Sequence, residues 1–386
     1  MQTVDIAVIG AGPVGLAFAR TLAGSGLSVT LIDQQSREHL ADPAFDGREI
    51  ALTHASRALL ETGGLWQHVS PDAISPLRDA RVMDGHSPFA LTFASAARHA
   101  GDLGWLVPNH LIRRAAWQAV QAQPGLEIRC GTSVRALQHT PTRVCVELAD
   151  GARLSARLLV AADSRFSGTR RLLGIGAQLR DFGKTMLVCR MRHAVPHHHA
   201  AWEWFGYGKT LALLPLQGNR AGAVLTLPPR QVEALLAMDA RAFGAAVTDA
   251  FEHRLGPMQQ DGSRHAYPLI ATYAQQFAGE RAALIGDAAV GMHPVTAHGF
   301  NFDCKARRVW PSACWPRPRA VAISAPQRSC RDMRAHIGWR RARCMKQPMP
   351  WPRCTPTIVH RPACCDVAPC VRPMRWRPSS RRLQRI

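Results

Sequence analysis

The sequence predicts an α/β chain: a Rossmann-like dinucleotide-binding unit carrying an inserted antiparallel β-sheet. Three observations predict it. An apolar strand runs straight into a GxGxxG turn and a helix at the very start of the chain. Residues 184–227 break into short strands separated by turn residues. A later segment, residues 282–301, again reads as buried strand, tight glycine turn and helix start. Alternating and strand-then-helix patterns of this kind build a nucleotide-binding layer plus a second sheet that covers one face of the ligand.

In the opening stretch, Asp5, Ile6, Ala7, Val8 and Ile9 form a run of buried-strand type that leads into GAGPVG, Gly10 to Gly15. Gly10 suits the tight turn, Gly12 leaves room for a pyrophosphate against the backbone, and Gly15 lets helix and strand approach closely. Pro13 starts a helix whose free N–H groups and positive dipole end face the phosphates. A second strand, residues 27–31, ends at Asp33, 18 residues beyond Gly15. That is near the spacing at which a carboxylate accepts from a ribose hydroxyl. Strand, glycines, helix, strand and acid in order point to a dinucleotide, against the blander reading of a glycine-rich turn in another α/β unit.

Further along, Thr53 is an N-cap candidate for a helix reaching Gly63. Arg48, just ahead of it, either reaches a diphosphate or is an ordinary surface arginine; its position leaves both open. Short strands are expected at 81–84 and 89–93, a helix at 109–123, and strands at 126–130, 144–148 and 154–162. The last of these ends in a second motif, Asp163 to Arg170. Strands at 186–191, 202–205, 211–216 and 221–227 precede helices at 229–238 and 240–255. The His197, His198, His199 run reads as an exposed loop rather than a metal site, because consecutive side chains diverge and neither CxxC nor HExxH occurs. In the third motif Gly286 lets the chain turn beneath a ligand, and Asp287 can accept from ribityl or ribose hydroxyls. A helix beginning near Gly299 would aim N–H groups at whatever lies above it.

The net charge of +21 suggests a nucleic-acid binder until it is located. Residues 303–386 hold 20 of the 48 Lys+Arg and only 3 of the 27 Asp+Glu, so the first 302 residues carry an excess of just 4. The same tail holds 8 of 11 cysteines and 12 of 27 prolines, and a single leucine, Leu383. Its basic residues form no motif and its cysteines lack paired spacing, so neither a specific nucleic-acid site nor zinc is expected. No charged-then-apolar leader precedes the first strand and no apolar run spans a bilayer. A cytoplasmic protein is expected, at most peripherally attached to a membrane or to a protein complex.

The segments DIAVIGAGPVGLAFARTLAGSGLSVTLID, DGREIALTHASRALLETGGLW, LLVAADSRFSGTRRLLGI and YPLIATYAQQFAGERAALIGDAAVGMHPVTAHGFN together resemble one family. It is that of the FAD-dependent aromatic-ring monooxygenases of the para-hydroxybenzoate hydroxylase fold. More narrowly the chain resembles the ubiquinone-biosynthesis hydroxylases (the UbiH, UbiF and UbiM group), its UbiM-like branch above all. The resemblance covers residues 1–302. It implies an FAD-binding domain assembled from 1–75, 101–178 and 275–302, a substrate domain from 76–100 and 179–274, and a tail, 303–386, foreign to the family. It implies FAD across Gly10, Gly12, Pro13 and Gly15, Asp33 on the adenosine ribose, Arg48 near the diphosphate, and Gly286 and Asp287 by the ribityl chain. Pro294, Gly299 and Asn301 would border the flavin ring. Asp163 stands where the family has an Asp-Gly pair linked to FAD and NAD(P)H, with Ser164 in place of the glycine. Val290 replaces a frequent His, and Ala297 and His298 a frequent Gly-Gln. The implied reaction is NAD(P)H-driven hydroxylation, through a flavin C4a-hydroperoxide, of an aromatic prenylated quinone-type substrate. Another phenolic substrate, or a catalytically dead product that still binds FAD, are the alternatives. His293 and His298 are the candidate catalytic side chains, with packing or hydrogen bonding beside the ring as the blander role.

After Asn301 the family continues as a leucine- and alanine-rich helix, whereas Pro311 here would stop a helix within about two turns. The Arg, Pro, Ala and Cys excess of the tail is that of a GC-rich gene read out of frame. Residues 344–359 admit codons that, read one base earlier, spell YEATNALASLYTDDR, similar to the family's C-terminal helices. A frameshift near codon 302 and a tail without packed structure are therefore expected.

Overall fold

The computed structural model describes residues 1–85, 87, 89–94 and 101–292. Its first layer is an eight-stranded sheet. Ala282–Leu284, Arg153–Ala161, Gln2–Ile9, Val29–Ile32 and Leu126–Arg129 lie side by side and parallel in that order. Strands buried on both faces need apolar side chains on both, which is why residues 6–9 read as a continuous run rather than an alternating one. Helices Pro13–Thr21 and Asn109–Val120 cover one face, where Leu16, Phe18, Ile112 and Trp117 are buried. Strands Val134–His139 and Val144–Leu148 help close the other, with Val144, Val146 and Leu148 against Val4, Ala7 and Leu154.

The second layer is a nine-stranded sheet. Its order is Val290–Gly291, His265–Ala274, Ala177–His193, Arg220–Leu227, Lys209–Pro215, Ala200–Gly206, Asp79–Asp84 and Ala90–Ala94, with Met258–Gln260 also paired to Ala177–His193. On one face Leu187, Cys189, Met191, Leu211, Leu213 and Leu225 bury against Val232, Phe243 and Val247 of helices Pro229–Ala237 and Ala240–Ala250. Burial pushes the Cys189 thiol up to about 12, so this cysteine behaves as a packing group. The opposite face turns toward the parallel sheet. There Val188 and His265 crowd Gly47, which lies at φ +72°, and the Tyr267 hydroxyl donates to the Asp46 carbonyl at 2.7 Å.

Most expected elements are present with boundaries moved by one to a few residues. The helix expected over 240–255 stops at Ala250, because Glu252 and His253 adopt positive φ, +52° and +54°, and turn the chain. The first helix runs from Pro13 to Thr21. Several strands, Glu49–Leu52, Ser75–Leu77, Gly104–Pro108 and Met258–Gln260 among them, have no counterpart in the pattern reading, and two further ones show why. Val134–His139 is only partly buried and alternates weakly. His265–Ala274 contains Pro268, which breaks the usual strand signature and sits beside the register shift between Asp181 and Thr185. The histidine run is a turn, but it is not wholly exposed. His197 is buried, packs 5.3 Å from the His193 ring and 5.4 Å from the His199 ring, and its Nε2 lies 2.8 Å from the Leu216 carbonyl. His198 is the exposed member. The tail from residue 303, and with it the expectation of unpacked structure, lies outside the described residues. Among the described residues no helix is long and apolar enough to cross a membrane.

Burial, chiefly, pushes the imidazoles of His193, His110 and His199 below their usual range. A histidine with a lowered folded-state value stabilises the fold fully above its unfolded value and loses that contribution as pH falls through the folded one. Melting temperature is therefore expected to drop as pH is lowered from 7 toward 5, and His193→Leu to flatten the profile, measured by differential scanning fluorimetry. An unchanged slope in that variant would remove His193 from the account.

Candidate functional site

The C-terminal ends of the central parallel strands converge on the loop from Gly10 to Gly15. Gly10 lies at φ +108°, and a Cβ there would stand 2.5 Å from the Ala162 carbonyl oxygen. A Cβ on Gly15 would collide with the Gly10 carbonyl. Both positions therefore need glycine for the fold itself. Gly12 differs: it caps the helix at φ −67°, and a Cβ there would meet nothing within 4 Å. Pro13 is the first helical residue, and no side chain caps the helix. A helix start left bare, beside a backbone with clearance, fits a diphosphate.

Asp33 closes the loop from the side. Its Oδ2 accepts from the Ala11 N–H at 2.6 Å and its Oδ1 from the Gln35 N–H at 2.8 Å. The carboxylate thus fixes the glycine loop as well as retaining lone pairs for a ribose hydroxyl. Arg48, in the loop that leads into strand Glu49–Leu52, is held by Asp46, Nη2 to Oδ2 at 2.6 Å, while Asn109 donates to the same oxygen at 2.7 Å. Burial would raise the Asp46 carboxyl, yet Arg48 and Asn109 outweigh it and hold the group below the usual carboxylate range. Arg113 is a second cation here. Burial lowers it most, with Arg48 acting the same way and Asp46 and Asp33 opposing.

The second and third motifs are bolted together. Asp163 accepts from the Ser167 hydroxyl at 2.5 Å and from the Thr169 N–H at 3.0 Å, and Ser167 caps the short helix Gly168–Leu172. Arg170 is buried, 4% exposed, and its Nη1 donates to the carbonyls of Arg165 at 3.1 Å and Ala288 at 2.9 Å. Arg165 reaches Asp287 at 3.4 Å and the Ile270 carbonyl at 3.1 Å, tying both motifs to the second sheet. Gly286, at φ +61°, packs on the first helix: a Cβ would lie 3.2 Å from Val14. Ser164 has φ +105°, a conformation that favours glycine, at the position where the resemblance puts one.

The structure therefore gathers Gly10, Gly12, Pro13, Gly15, Asp33, Asp163, Gly286 and Asp287 around the ends of the parallel strands, with Arg48 reaching in from the facing loop. His293, Pro294, His298, Gly299 and Asn301 lie outside the described residues. Asp46, Asn109, Arg113, Arg165 and Arg170 are the supporting groups that pattern reading missed. Arg165 and Arg170 sit inside the second motif, where charge within a motif is the usable signal. Asn109 and Arg113 are ordinary helix residues with no local signature.

The FAD binding domain family matches residues 3–304, and the chain belongs to it. Its relatives make the assignment narrower: the chain belongs with the ubiquinone hydroxylases of the UbiH, UbiF and UbiM group. It is 46% identical over 301 residues to ubiquinone hydroxylase UbiM of Neisseria meningitidis, covering 77% of this chain and 65% of that protein. Identity is 36% over 304 residues to ubiquinone hydroxylase UbiL of Rhodospirillum rubrum, covering 79% of this chain and 70% of that one. It is 30% over 301 residues to the 3-demethoxyubiquinol 3-hydroxylase of Escherichia coli, covering 78% and 76%. Among solved structures, Pseudomonas aeruginosa PqsL shares the fold at TM-score 0.70 and 21% identity, covering 87% of this chain and 92% of that one. Pseudomonas putida p-nitrophenol 4-monooxygenase PnpA shares it at TM-score 0.65 and 17% identity, covering 88% and 82%. FAD is the cofactor of the family, and the glycine loop with its uncapped helix fits it.

Two substitutions separate fold from ligand. Gly12→Ala is expected to leave the melting temperature of the FAD-free protein unchanged and to weaken FAD binding at least tenfold (~1.4 kcal/mol). Gly15→Ala should instead destabilise the FAD-free protein by about 3 kcal/mol through overpacking. Fluorimetry with and without FAD reads both; equal behaviour of the two variants would contradict the assignment. Ser164→Gly should raise stability by about 1 kcal/mol by relieving the positive φ, seen as a higher urea midpoint at unchanged slope.

Proposed function

We propose that the protein is an FAD-dependent aromatic-ring monooxygenase that takes reducing equivalents from NAD(P)H and hydroxylates a ubiquinone precursor. The observation that carries this reading is the contact between the second sheet and the loop of residues 46–49. The nucleotide loop around Asp46 to Glu49 is contacted by Arg190, Gly222, His265 and Tyr267 of the second sheet, so a ring bound under that sheet lies beside the cofactor. Bound FAD supplies the redox chemistry that activates dioxygen. The chain's own residues bind and orient it: the glycine loop and Asp33 hold the adenosine half, Arg48 neutralises diphosphate, and Asp287, itself steadied by Arg165, accepts from the ribityl chain. Asp163 and the Ser167 cap set the edge that NAD(P)H would approach. The apolar second sheet excludes water from the ring, which strengthens every dipole around it.

A second reading is favoured by the composition change at residue 303, where the family match also stops, at residue 304. In it the chain binds FAD but carries an out-of-frame segment in place of the family's C-terminal helices, and turnover is lost. Purified full-length protein tests both. A yellow protein whose flavin bleaches with NADH or NADPH under argon, and which in air adds one oxygen atom to a prenylated phenol, is the expected outcome of the first. Yellow protein without product, rescued when the reading frame is restored beyond codon 302, marks the second. A colourless protein after incubation with excess FAD would sink both.

A further inference from the structure

The second sheet holds a carboxylate that neither layer uses. Trp202 and Trp204 pack into the helix-covered core, so strand alternation turns Glu203, between them, to the opposite face. That is the face on which Arg190, Gly222 and Val188 meet the nucleotide loop: Arg190 binds Glu49 at 2.7 Å, and a Cβ on Gly222 would lie 3.4 Å from Glu49. Register sets Glu203 directly between Val82 and Ala212, with Leu91 beyond Val82 and Val224 beyond Ala212. Phe93, 42% exposed, lies one step along on the edge strand opposite Ala80. Glu203 is half-buried and makes no hydrogen bond or ion pair among the described residues. A carboxyl placed among apolar neighbours without a partner, on the sheet face that meets the nucleotide loop, is destabilising unless a ligand pairs with it.

We propose that Glu203, as a neutral carboxyl, is the anchor that hydrogen-bonds the ring hydroxyl of a phenolic substrate, with the substrate's apolar tail lying across Leu91 and Phe93. The inference rests on the monooxygenase reading and adds to it the residue that orients the ring. Burial alone pushes the Glu203 carboxyl up to about 8. The other charged groups on its face are distant or paired: Asp84, exposed, one step along the neighbouring strand, the Glu49–Arg190 pair at the strand three away, and Arg192 and Arg220, both paired with Asp261. In Glu49, burial outweighs the attraction of Arg190 and raises the carboxyl to about 7. An uncharged acid can donate to the phenol oxygen and accept from its proton at once, and it does not repel an electron-rich ring.

The test uses the full-length, FAD-loaded protein and a geranyl-substituted phenol as the probe, with affinity read from the shift it causes in the flavin absorbance spectrum. Glu203→Leu is expected to weaken binding by tenfold or more, and Glu203→Gln by less than about threefold at pH 7, because the amide keeps a donor and an acceptor. Parent affinity should fall about tenfold between pH 7 and pH 9 as the carboxyl ionises, while Glu203→Gln stays flat. FAD affinity, measured separately, should not change in either variant. Parent-like phenol affinity in Glu203→Leu, or parallel pH profiles for parent and Glu203→Gln, overturns the anchor while the monooxygenase reading stands. Failure of the parent to load FAD overturns both.

Discussion

The whole arrangement depends on three close approaches made by glycines, two of them against backbone carbonyls that leave no room for a Cβ. Gly15 rests on the Gly10 carbonyl, Gly10 on the carbonyl of Ala162, and Gly286 on Val14. Together they draw the first helix down onto the ends of the strands that carry the second and third motifs. Without that closeness the helix N-terminus would stand away from Asp163 and Asp287, and its dipole, which fades within a turn, would act on nothing. Gly12 belongs to the same loop yet has clearance around it, which separates the glycines that serve packing from one with open space beside it.

Given that closeness, polar groups lock the motifs in place. The buried guanidinium of Arg170 satisfies two carbonyls, Arg165 and Ala288, from different segments. A buried charge is tolerable because its hydrogen bonds are made, and removing it would orphan carbonyls on both sides. Arg165 extends the lock to the second sheet through Ile270. The strained φ of Ser164 sits between these anchors, held by Asp163 on one side and the Ser167 cap on the other. Strain of this kind survives only where neighbours over-determine the backbone.

The second sheet divides its two faces between separate tasks. One is packed against two helices and is as apolar as any core. The other carries Arg190, Tyr267, His265 and Glu203 at intervals, each placed by alternation along its strand. Ionic pairing with the nucleotide loop is concentrated at one end, around Glu49 and Asp46, and leaves an apolar stretch toward the edge strands. That gradient from charge to hydrocarbon is the physical match to a ring with an apolar tail.

Much of this was legible along the chain because its cause is local. A glycine turn, a proline at a helix start, a Thr cap at residue 53 and a carboxylate at a strand end act on neighbours a few residues away, and the structure keeps all four. The strand pattern of residues 186–227 was equally readable, since burial on one or both faces dictates its periodicity. Other features were not readable. Pro268 disguised a ten-residue strand that is held by pairing to a distant partner. His197 looked exposed beside two other histidines, but the core beneath it takes its ring. Asn109, Arg113 and the role of Glu203 depend on which strand or loop lies opposite, and residue spacing holds no record of that. The sequence by itself determined that a dinucleotide cradle is present and where its glycines stand, because those contacts are short-range backbone geometry. Only the tertiary structure decided which charges are paired, which polar groups face the cleft alone, and how the two sheets meet, because long-range pairing and burial set those.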